Sequence, residues 1–244
     1  MVTWGKVTPV FSIFFNLLYL LKIFIYNTMA EIADFSSIGT PFFSQYEELE
    51  TWGNPLPHWL QDNKLYFITF RLADSICKED REILIKKKKD FELKNPKPWS
   101  LQTYLEYRKI ISRKMDALLD KGYGSCILKN QAVRAIFLKS LYFYQDKYYN
   151  VMGFVIMPNH VHVLLLGKNR LNIIKAIGSV KHFSANKINK LLNKKGKIWK
   201  KGSYDTIVRS EEHRIACCQY IESNPKYLPK GTYELGGSWI HKKE

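Results

Sequence analysis

The stretch VMGFVIMPNHVHVLLLG, residues 151–167, decides the fold of this chain. Two apolar runs flank a corner at Pro158, and this pattern predicts a hairpin of two strands. Side chains two positions apart in a strand point to the same face of the sheet. His160 and His162 therefore stand together on one face, while Val161 between them faces the opposite way, into the core.

Outward from this hairpin, strand and helix signals alternate along the chain. They predict a strand at 64–74, a helix at 130–150, strands at 151–158 and 160–167, a helix at 170–192, a strand at 204–209, and a helix that Ser210 caps and Pro225 ends. This order is the split βαβ pattern of a ferredoxin-like fold. We therefore expect an α+β domain whose antiparallel sheet carries helices on one face. The charged residues 78–122 are helical in pattern and form an insertion.

The N-terminal segment 1–28 is hydrophobic, and residues 8–26 are long enough to span a bilayer. It fits a membrane anchor, a signal peptide, or sequence translated upstream of a true start at Met29; we favour the last. An irregular lead-in, a domain and a tail are expected to follow, at 29–62, 63–230 and 231–244.

Charge and cysteine content limit the class of protein. The chain has 38 Lys and Arg against 22 Asp and Glu, a net charge of +16. A surface this basic attracts polyanions, so nucleic acid is the expected partner. The four cysteines contain no CxxC pair, which excludes a zinc ribbon or a disulfide framework and indicates reduced thiols in the cytoplasm.

The two histidines fit either a solvated sheet face or one metal ion. Zinc would want three or four nitrogen or sulfur ligands, and the adjacent Cys217 and Cys218 diverge on a helix. Mg²⁺ or Mn²⁺ accepts few protein ligands and fills its shell with water and phosphate oxygen. On a basic protein, such an ion suggests phosphodiester chemistry.

A nucleophile for that chemistry is offered by the last helix. Tyr220 and Asn224 lie four residues apart and so share one helical face. A tyrosine in a helix is ordinarily a packing residue, and this chain has 15 of them. No GxxxxGK[ST] loop is present, so nucleotide hydrolysis is not indicated and no nucleotide cofactor is expected. The GxSxG motif of a serine nucleophile does not appear either.

Four pieces of the chain together resemble the single-tyrosine HUH transposases. They are MPNHVHVLL (157–165), KHFSANKIN (181–189), SYDTIVR (203–209) and YIESNP (220–225). Within that family they look most like the REP-associated tyrosine transposases of the IS200-like superfamily. The resemblance runs from about residue 62 to about residue 230.

The resemblance implies a role for each matched residue. His160, His162 and Asn224 would hold a divalent metal, Mg²⁺ or Mn²⁺, and Tyr220 would be the nucleophile. Tyr204 of SYDTIVR is a competing nucleophile, although it aligns with a strand. The implied enzyme cleaves and rejoins single-stranded DNA, often held as a hairpin, through a 5′-phosphotyrosine.

Basic residues would supply the DNA contacts that this activity needs. The expected contacts are Lys181, Lys187, Lys190, Lys200, Lys201 and Arg209. Trp199 and His182 are expected to stack on bases. Asp205, beside Tyr204, is expected to support the site or bind DNA.

Three other readings stay open. The first is a catalytically inactive or domesticated DNA-binding protein of the same fold. The second is a replication initiator or relaxase with the same chemistry, although those are usually larger. The third is a membrane-anchored basic protein, which rests on residues 8–26 alone and is not favoured. The transposase is expected to be a monomer or a homodimer.

Overall fold

The structure, a computed structural model, describes residues 39–52 and 58–240. The chain divides into units 1–40 and 41–244, and every element below lies in the second. The hydrophobic segment 1–28 lies outside the described residues. Within the part that is described, no helix is long and apolar enough to cross a membrane.

Seven strands and five α-helices make up the described part. In chain order they are β1 Glu50–Trp52, β2 His58–Leu60, β3 Leu65–Arg71, α1 Lys78–Lys94, α2 Leu101–Leu119, α3 Gln131–Tyr142, β4 Tyr149–Ile156, β5 His160–Gly167, α4 Arg170–Leu191, β6 Tyr204–Ile207, α5 Glu211–Ser223 and β7 Glu234–Gly236, with a 3₁₀ turn at Ile127–Lys129.

The central sheet has five strands in the order β6-β3-β5-β4-β7, and every neighbouring pair is antiparallel. Its first four strands have the order of a ferredoxin-like fold, with β5 between the two strands that α3 connects. The predicted hairpin is β4–β5, closed by a bond from the Met157 N–H to the His160 carbonyl at 2.8 Å. The predicted α+β fold is confirmed.

Each face of the sheet is covered differently. Helices α3 and α4 pack on one face over a core that includes Val161, Val163 and Phe137, as the alternation in β5 predicts. Helix α5 packs against the other face of β4 and β5. The expectation of helices on one face therefore holds for the two connecting helices, and α5 occupies the face that carries His160 and His162.

The insertion forms two helices, α1 and α2, joined through a small core of their own that includes Leu84, Tyr107 and Ile111. The Arg108 side chain of α2 donates to the Asp205 carbonyl and to Thr206 Oγ1, the latter at 2.7 Å. These bonds attach the insertion to the edge strand β6.

Three expectations about the elements differ from the structure. The helix expected at 130–150 ends at Tyr142, and Asp146 takes a left-handed φ of 64° in the turn that leads into β4. The expected tail contains β7, which pairs with β4 and adds a fifth strand. The lead-in, expected to be irregular, contains the paired strands β1 and β2.

Candidate active site

Both histidines of the HUH sequence are buried, and each has its Nδ1 occupied. His160 Nδ1 lies 2.7 Å from Asn159 Oδ1, and His162 Nδ1 lies 2.8 Å from Thr69 Oγ1. The Asn159 amide nitrogen donates to the carbonyls of Leu119 and Tyr123, at 3.1 and 3.2 Å, so its oxygen faces His160. An amide oxygen only accepts, and His160 therefore carries its proton on Nδ1 and a lone pair on Nε2.

Burial keeps both imidazoles neutral. It lowers the pKa of His160 to about 3 and holds that of His162 well below its ordinary value, with the neighbouring His160 as a second cause. A neutral imidazole with a free Nε2 is the form that ligates a metal.

Three buried side-chain polar atoms have no hydrogen-bond partner within the described residues, and two of them, His162 Nε2 and Asn224 Oδ1, belong to the predicted metal ligands; the third is Asn189 Oδ1 on α4. Buried polar atoms are almost always paired, so orphans of this kind indicate a missing ion or ligand. No group of three or more His, Cys, Asp or Glu suited to a metal occurs in the described ranges. Two imidazoles and an amide oxygen still fit Mg²⁺ or Mn²⁺, which take water and phosphate for the rest of the shell.

Helix α5 positions Tyr220 over the histidine strand. The helix begins at its Ser210 cap, whose hydroxyl accepts from the His213 N–H at 3.3 Å. The Tyr220 ring meets the His162 ring edge-on at a centroid distance of 5.0 Å, and Phe67 stacks on His162 at 5.5 Å. Aromatic packing therefore fixes the height of the phenol above the sheet.

Asn224 keeps helical geometry although Pro225 follows it. Its φ and ψ are −56° and −45°, and its N–H donates to the Tyr220 carbonyl at 3.0 Å. The fraying that a following proline favours is absent at this position. The i, i+4 relation predicted for Tyr220 and Asn224 therefore holds.

The competing tyrosine has a different environment. Tyr204 lies on the edge strand β6, paired with Thr69, and its hydroxyl accepts from Lys88 of α1 at 3.4 Å. Its ring packs against the core of the insertion. Of the two tyrosines, Tyr220 is the one whose ring contacts a histidine of the pair.

Sequence reasoning missed two residues beside this site. Burial, followed by the charge of Asp120, raises the pKa of Asp116 of α2 to about 6, and the Tyr220 hydroxyl has a smaller, lowering effect on it. Burial, then the charges of Asp116 and Asp120, also raises the pKa of Tyr220 above its ordinary value. Arg71 ends β3 directly opposite His160 and so points to the same face. No motif marks Asp116, whereas the register of Arg71 was open to prediction once the strand order was known.

The residues expected to bind DNA are distributed over several surfaces. The Lys181 ammonium donates to the carbonyls of Lys200 and Gly202, and burial lowers its pKa to about 8. Lys200 is exposed in the loop before β6, and its N–H bonds to the Arg71 carbonyl at 2.9 Å, at the His160 end of the sheet. Lys201 is its exposed neighbour, and Arg209 is exposed just before α5. Their role in DNA binding stays a prediction.

Lys187 and Lys190, here called the groove lysines, lie on the opposite face of the sheet from the histidines. They line a groove of about 1110 Å³ between α3 and α4. Phe143 and Phe183, with 74% and 59% of their surface exposed, stand in the same groove. Neither α3 nor α4 contains an Asp or Glu. The groove is therefore both basic and aromatic.

The prediction that Trp199 stacks on bases is wrong. The side chain is 6% exposed, packs on Phe70 and Phe137 in the core, and donates to Ser184 Oγ at 2.9 Å. Sequence alone does not separate a core indole from a surface one. His182 is exposed and lines the groove, so it is free for such a contact.

Comparisons with known proteins agree with the motifs. The family model described as "Transposase IS200 like" matches residues 123–224. A solved structure of the REP-associated tyrosine transposase bound to a REP hairpin is 12% identical, with a TM-score of 0.40, and the match covers 71% of this chain and 73% of that chain. No curated protein matches. Over residues 123–224, which carry the histidine pair, Tyr220 and Asn224, the chain is similar to the IS200-like transposases, and the resemblance predicted from its motifs is confirmed.

Proposed function

We propose that this protein is a metal-dependent single-tyrosine transposase that cleaves and rejoins single-stranded DNA. The observation that carries the proposal is the contact of Tyr220 with His162, whose Nε2 is buried and unpartnered. Asn224, one helical turn after Tyr220, also has a buried and unpartnered atom, Oδ1. A nucleophile next to unfilled metal-ligand atoms is the arrangement that phosphodiester transfer needs. The IS200-like family match supports the same reaction class.

The metal site would consist of His160 Nε2, His162 Nε2 and Asn224 Oδ1. A bound Mg²⁺ or Mn²⁺ would polarise and orient the scissile phosphate. Asn159 and Thr69 hold the two imidazoles with Nδ1 turned away from that position. Hydrogen-bonded support of this kind keeps ligands in place and typically affects metal affinity 10- to 100-fold.

The reaction would begin with attack of the Tyr220 oxygen on the phosphorus. The bond between phosphorus and the 3′ oxygen breaks, which leaves a 5′-phosphotyrosine and a free 3′-hydroxyl. A 3′-hydroxyl later attacks the phosphotyrosine and releases the phenol. Each step exchanges one phosphoester for another, so no nucleotide cofactor is required.

The DNA would be bound by the basic surfaces on both sides of the sheet. The exposed Lys200, Lys201 and Arg209 lie outside the helical groove, and Lys200 reaches the histidine end. The groove lysines with Phe143 and Phe183 would hold a further part of the strand, because lysines contact phosphates and exposed rings stack on bases. Single-stranded DNA with a hairpin is the proposed substrate, and the oligomeric state stays a prediction, monomer or homodimer.

The test is covalent capture of the DNA. A pool of labelled single-stranded hairpin oligonucleotides with randomised flanks is incubated with the protein and Mn²⁺, and adducts are resolved on a denaturing gel. We expect an adduct with the wild-type protein and with Tyr204→Phe, and none with Tyr220→Phe, which keeps its ring but lacks the attacking oxygen. A domesticated DNA-binding protein would bind the pool without forming any adduct.

Asn224→Ala provides a second arm of this experiment. This substitution removes one oxygen from the proposed ligand set. The Mn²⁺ affinity measured by calorimetry should therefore fall, and excess Mn²⁺ should restore part of the adduct. Unchanged Mn²⁺ affinity would exclude Asn224 as a ligand.

A further inference from the structure

A cavity separate from the helical groove lies between the insertion helix α2, the edge strand β6 and the start of α5. Its volume is about 490 Å³, and small-molecule sites usually occupy about 300 to 1,000 Å³. Thr206 lines the cavity and pairs directly with Phe67 of β3, so both side chains belong to one face of the sheet. The Phe67 ring stacks on His162. The cavity therefore lies on the face that carries the candidate metal ligands.

The helices that border this cavity also lead to the candidate active site. His213 lines the cavity, and Tyr220 follows it seven residues later on α5. Seven residues are close to two helical turns, so both side chains lie on one face of α5, roughly 10 Å apart along its axis. Helix α2 runs from Ser112, at the cavity, to Leu119, whose carbonyl accepts from Asn159 just before β5. The cavity is therefore adjacent to the proposed position of cleavage.

Two cations at the cavity have no acidic partner. Lys109 of α2 and Arg209, just before α5, line the cavity and are exposed. Neither forms a salt bridge within the residues that the structure describes. Of the two carboxylates on the lining, Glu106 is exposed and Asp205 is buried. Unpaired cations of this kind attract phosphate groups.

A structural role is illustrated by a third cation of the same lining. The Arg108 guanidinium donates to the Asp205 carbonyl and to Thr206 Oγ1, and so attaches α2 to β6. No side-chain hydrogen bond of Lys109 or Arg209 occurs among the described residues, so packing α2 against β6 does not account for these two charges.

The remaining lining suits a nucleobase. The rings of Trp59 and Tyr104 line the cavity and stack on each other, with centroids 5.1 Å apart. The Arg209 N–H donates to His213 Nδ1 at 3.2 Å, so the neutral His213 ring carries its proton on Nε2, where it is a donor. Gln102 adds an exposed amide that both donates and accepts. Aromatic surface with a few polar groups is typical of sites that bind unpaired bases.

We propose that this cavity, here called the α2–α5 cavity, binds the unpaired nucleotide that adjoins the scissile phosphate. Lys109 and Arg209 contact the phosphate of that nucleotide, and its base lies against the rings of Tyr104 and Trp59. This inference rests on the proposed function, because Tyr220 defines the scissile phosphate. It gives the helical insertion a role in selecting the sequence at the cleavage position.

The first test measures binding without cleavage. The full-length protein, without added metal, is titrated into a fluorescent pool of single-stranded hairpin oligonucleotides with randomised flanks, at several salt concentrations. The double variant Lys109→Gln, Arg209→Gln should reduce the slope of log K against log salt by up to about 1.4, because each lost phosphate contact accounts for about 0.7. The matched control replaces two exposed lysines of α1, Lys86→Gln and Lys87→Gln, and should keep the wild-type slope.

The second test fills the cavity and measures sequence preference. Adducts formed with Mn²⁺ are sequenced on both sides of the cleaved bond. We expect the wild-type protein to prefer certain bases at a position that adjoins the cleaved bond, and Ser112→Trp to lose this preference because its indole occupies the cavity. Leu93→Trp is the control, since it adds the same ring at a side chain that is 82% exposed on α1. Urea unfolding verifies that both variants are folded.

The outcomes separate this inference from the proposed function. If the wild-type protein forms an adduct but the double variant keeps the wild-type salt slope, the inference is wrong and the proposed function stands. Retention of the wild-type base preference in folded Ser112→Trp would likewise overturn the inference alone. If the wild-type protein forms no adduct, the proposed function is wrong. A reduced slope in the double variant would then still support the α2–α5 cavity as a single-strand site, and an unchanged slope would remove both.

Discussion

Asn159→Ala should weaken both metal binding and folding, and the two losses have separate origins. The amide oxygen of Asn159 accepts from His160 Nδ1 at 2.7 Å and so fixes the tautomer and the ring orientation. Supporting bonds of this kind are worth about 10- to 100-fold in metal affinity, or about 1.4 to 2.8 kcal/mol. Mn²⁺ titration by calorimetry measures this part.

The folding loss comes from the other end of the same side chain. Its nitrogen donates to the carbonyls of Leu119 and Tyr123, and the Leu119 carbonyl also receives the Gly122 N–H at 3.0 Å. Alanine therefore affects chiefly the Tyr123 carbonyl, which keeps only the weak Cys126 thiol as a donor, at 3.9 Å, among the described residues. Leaving a buried acceptor unsatisfied costs about 1 to 3 kcal/mol, which urea unfolding without metal would measure.

Asn159→Asp separates the two effects. A carboxylate at this position still accepts from His160 Nδ1, but it has no proton to donate to the two carbonyls. We expect Mn²⁺ affinity close to that of the wild type and a stability at least as low as that of Asn159→Ala. The reasoning is refuted if folded Asn159→Ala binds Mn²⁺ as tightly as the wild-type protein does.

Three further predictions concern stability and DNA binding. The folded-state pKa of Asp116 is raised, so the stability that its protonated form contributes is complete below pH 3.8 and is lost as the pH rises through about 6. In urea unfolding, the free energy of unfolding of Asp116→Asn should therefore exceed that of the wild type by about 1–2 kcal/mol at pH 8 and match it near pH 3.5. Gly237 has a φ of +118°, and an added Cβ would lie 2.6 Å from the Met152 carbonyl oxygen, so Gly237→Ala should lower the free energy of unfolding by more than about 1 kcal/mol. A Cβ added at Gly178 on α4 would meet no atom within 4 Å, so Gly178→Ala should raise the free energy of unfolding by up to about 1 kcal/mol. Replacing both groove lysines by alanine should reduce the slope of log K against log salt for single-stranded DNA by up to about 1.4, whereas the same change at two exposed lysines of α1, Lys86 and Lys87, should leave it nearly unchanged.

Local sequence patterns predicted which candidate site residues lie together on a single strand or helix. Two-residue periodicity placed His160 and His162 on one face, and helical periodicity placed Tyr220 beside Asn224. Predicting which strands lie side by side then required only their order in the sheet, which the split βαβ pattern provides. These residues lie within the range that matches the IS200-like family.

Features that depend on distant contacts were missed. The strand β7 has three residues, Glu234–Gly236, and alternation over so short a run carries no signal. Trp199 was assigned to the surface although it packs in the core, because aromatic residues serve both environments. Asp116 is one of many acidic residues on the helices of the insertion, and only its burial, which raises its pKa, distinguishes it.

The attachment of the insertion explains why its residues reach the site at all. Leu72, just after β3, donates its N–H to the Asn159 carbonyl at 2.9 Å, and Leu128, just before α3, donates to the Pro158 carbonyl at 3.2 Å. The segments that precede and follow the insertion are thus both bonded to the corner that precedes His160. A segment held at both ends beside this corner must place some of its surface next to the histidine face. The sequence of residues 78–122 predicted a helical insertion, and the bonds from the Asn159 amide to the Leu119 and Tyr123 carbonyls place the end of that insertion beside the start of β5.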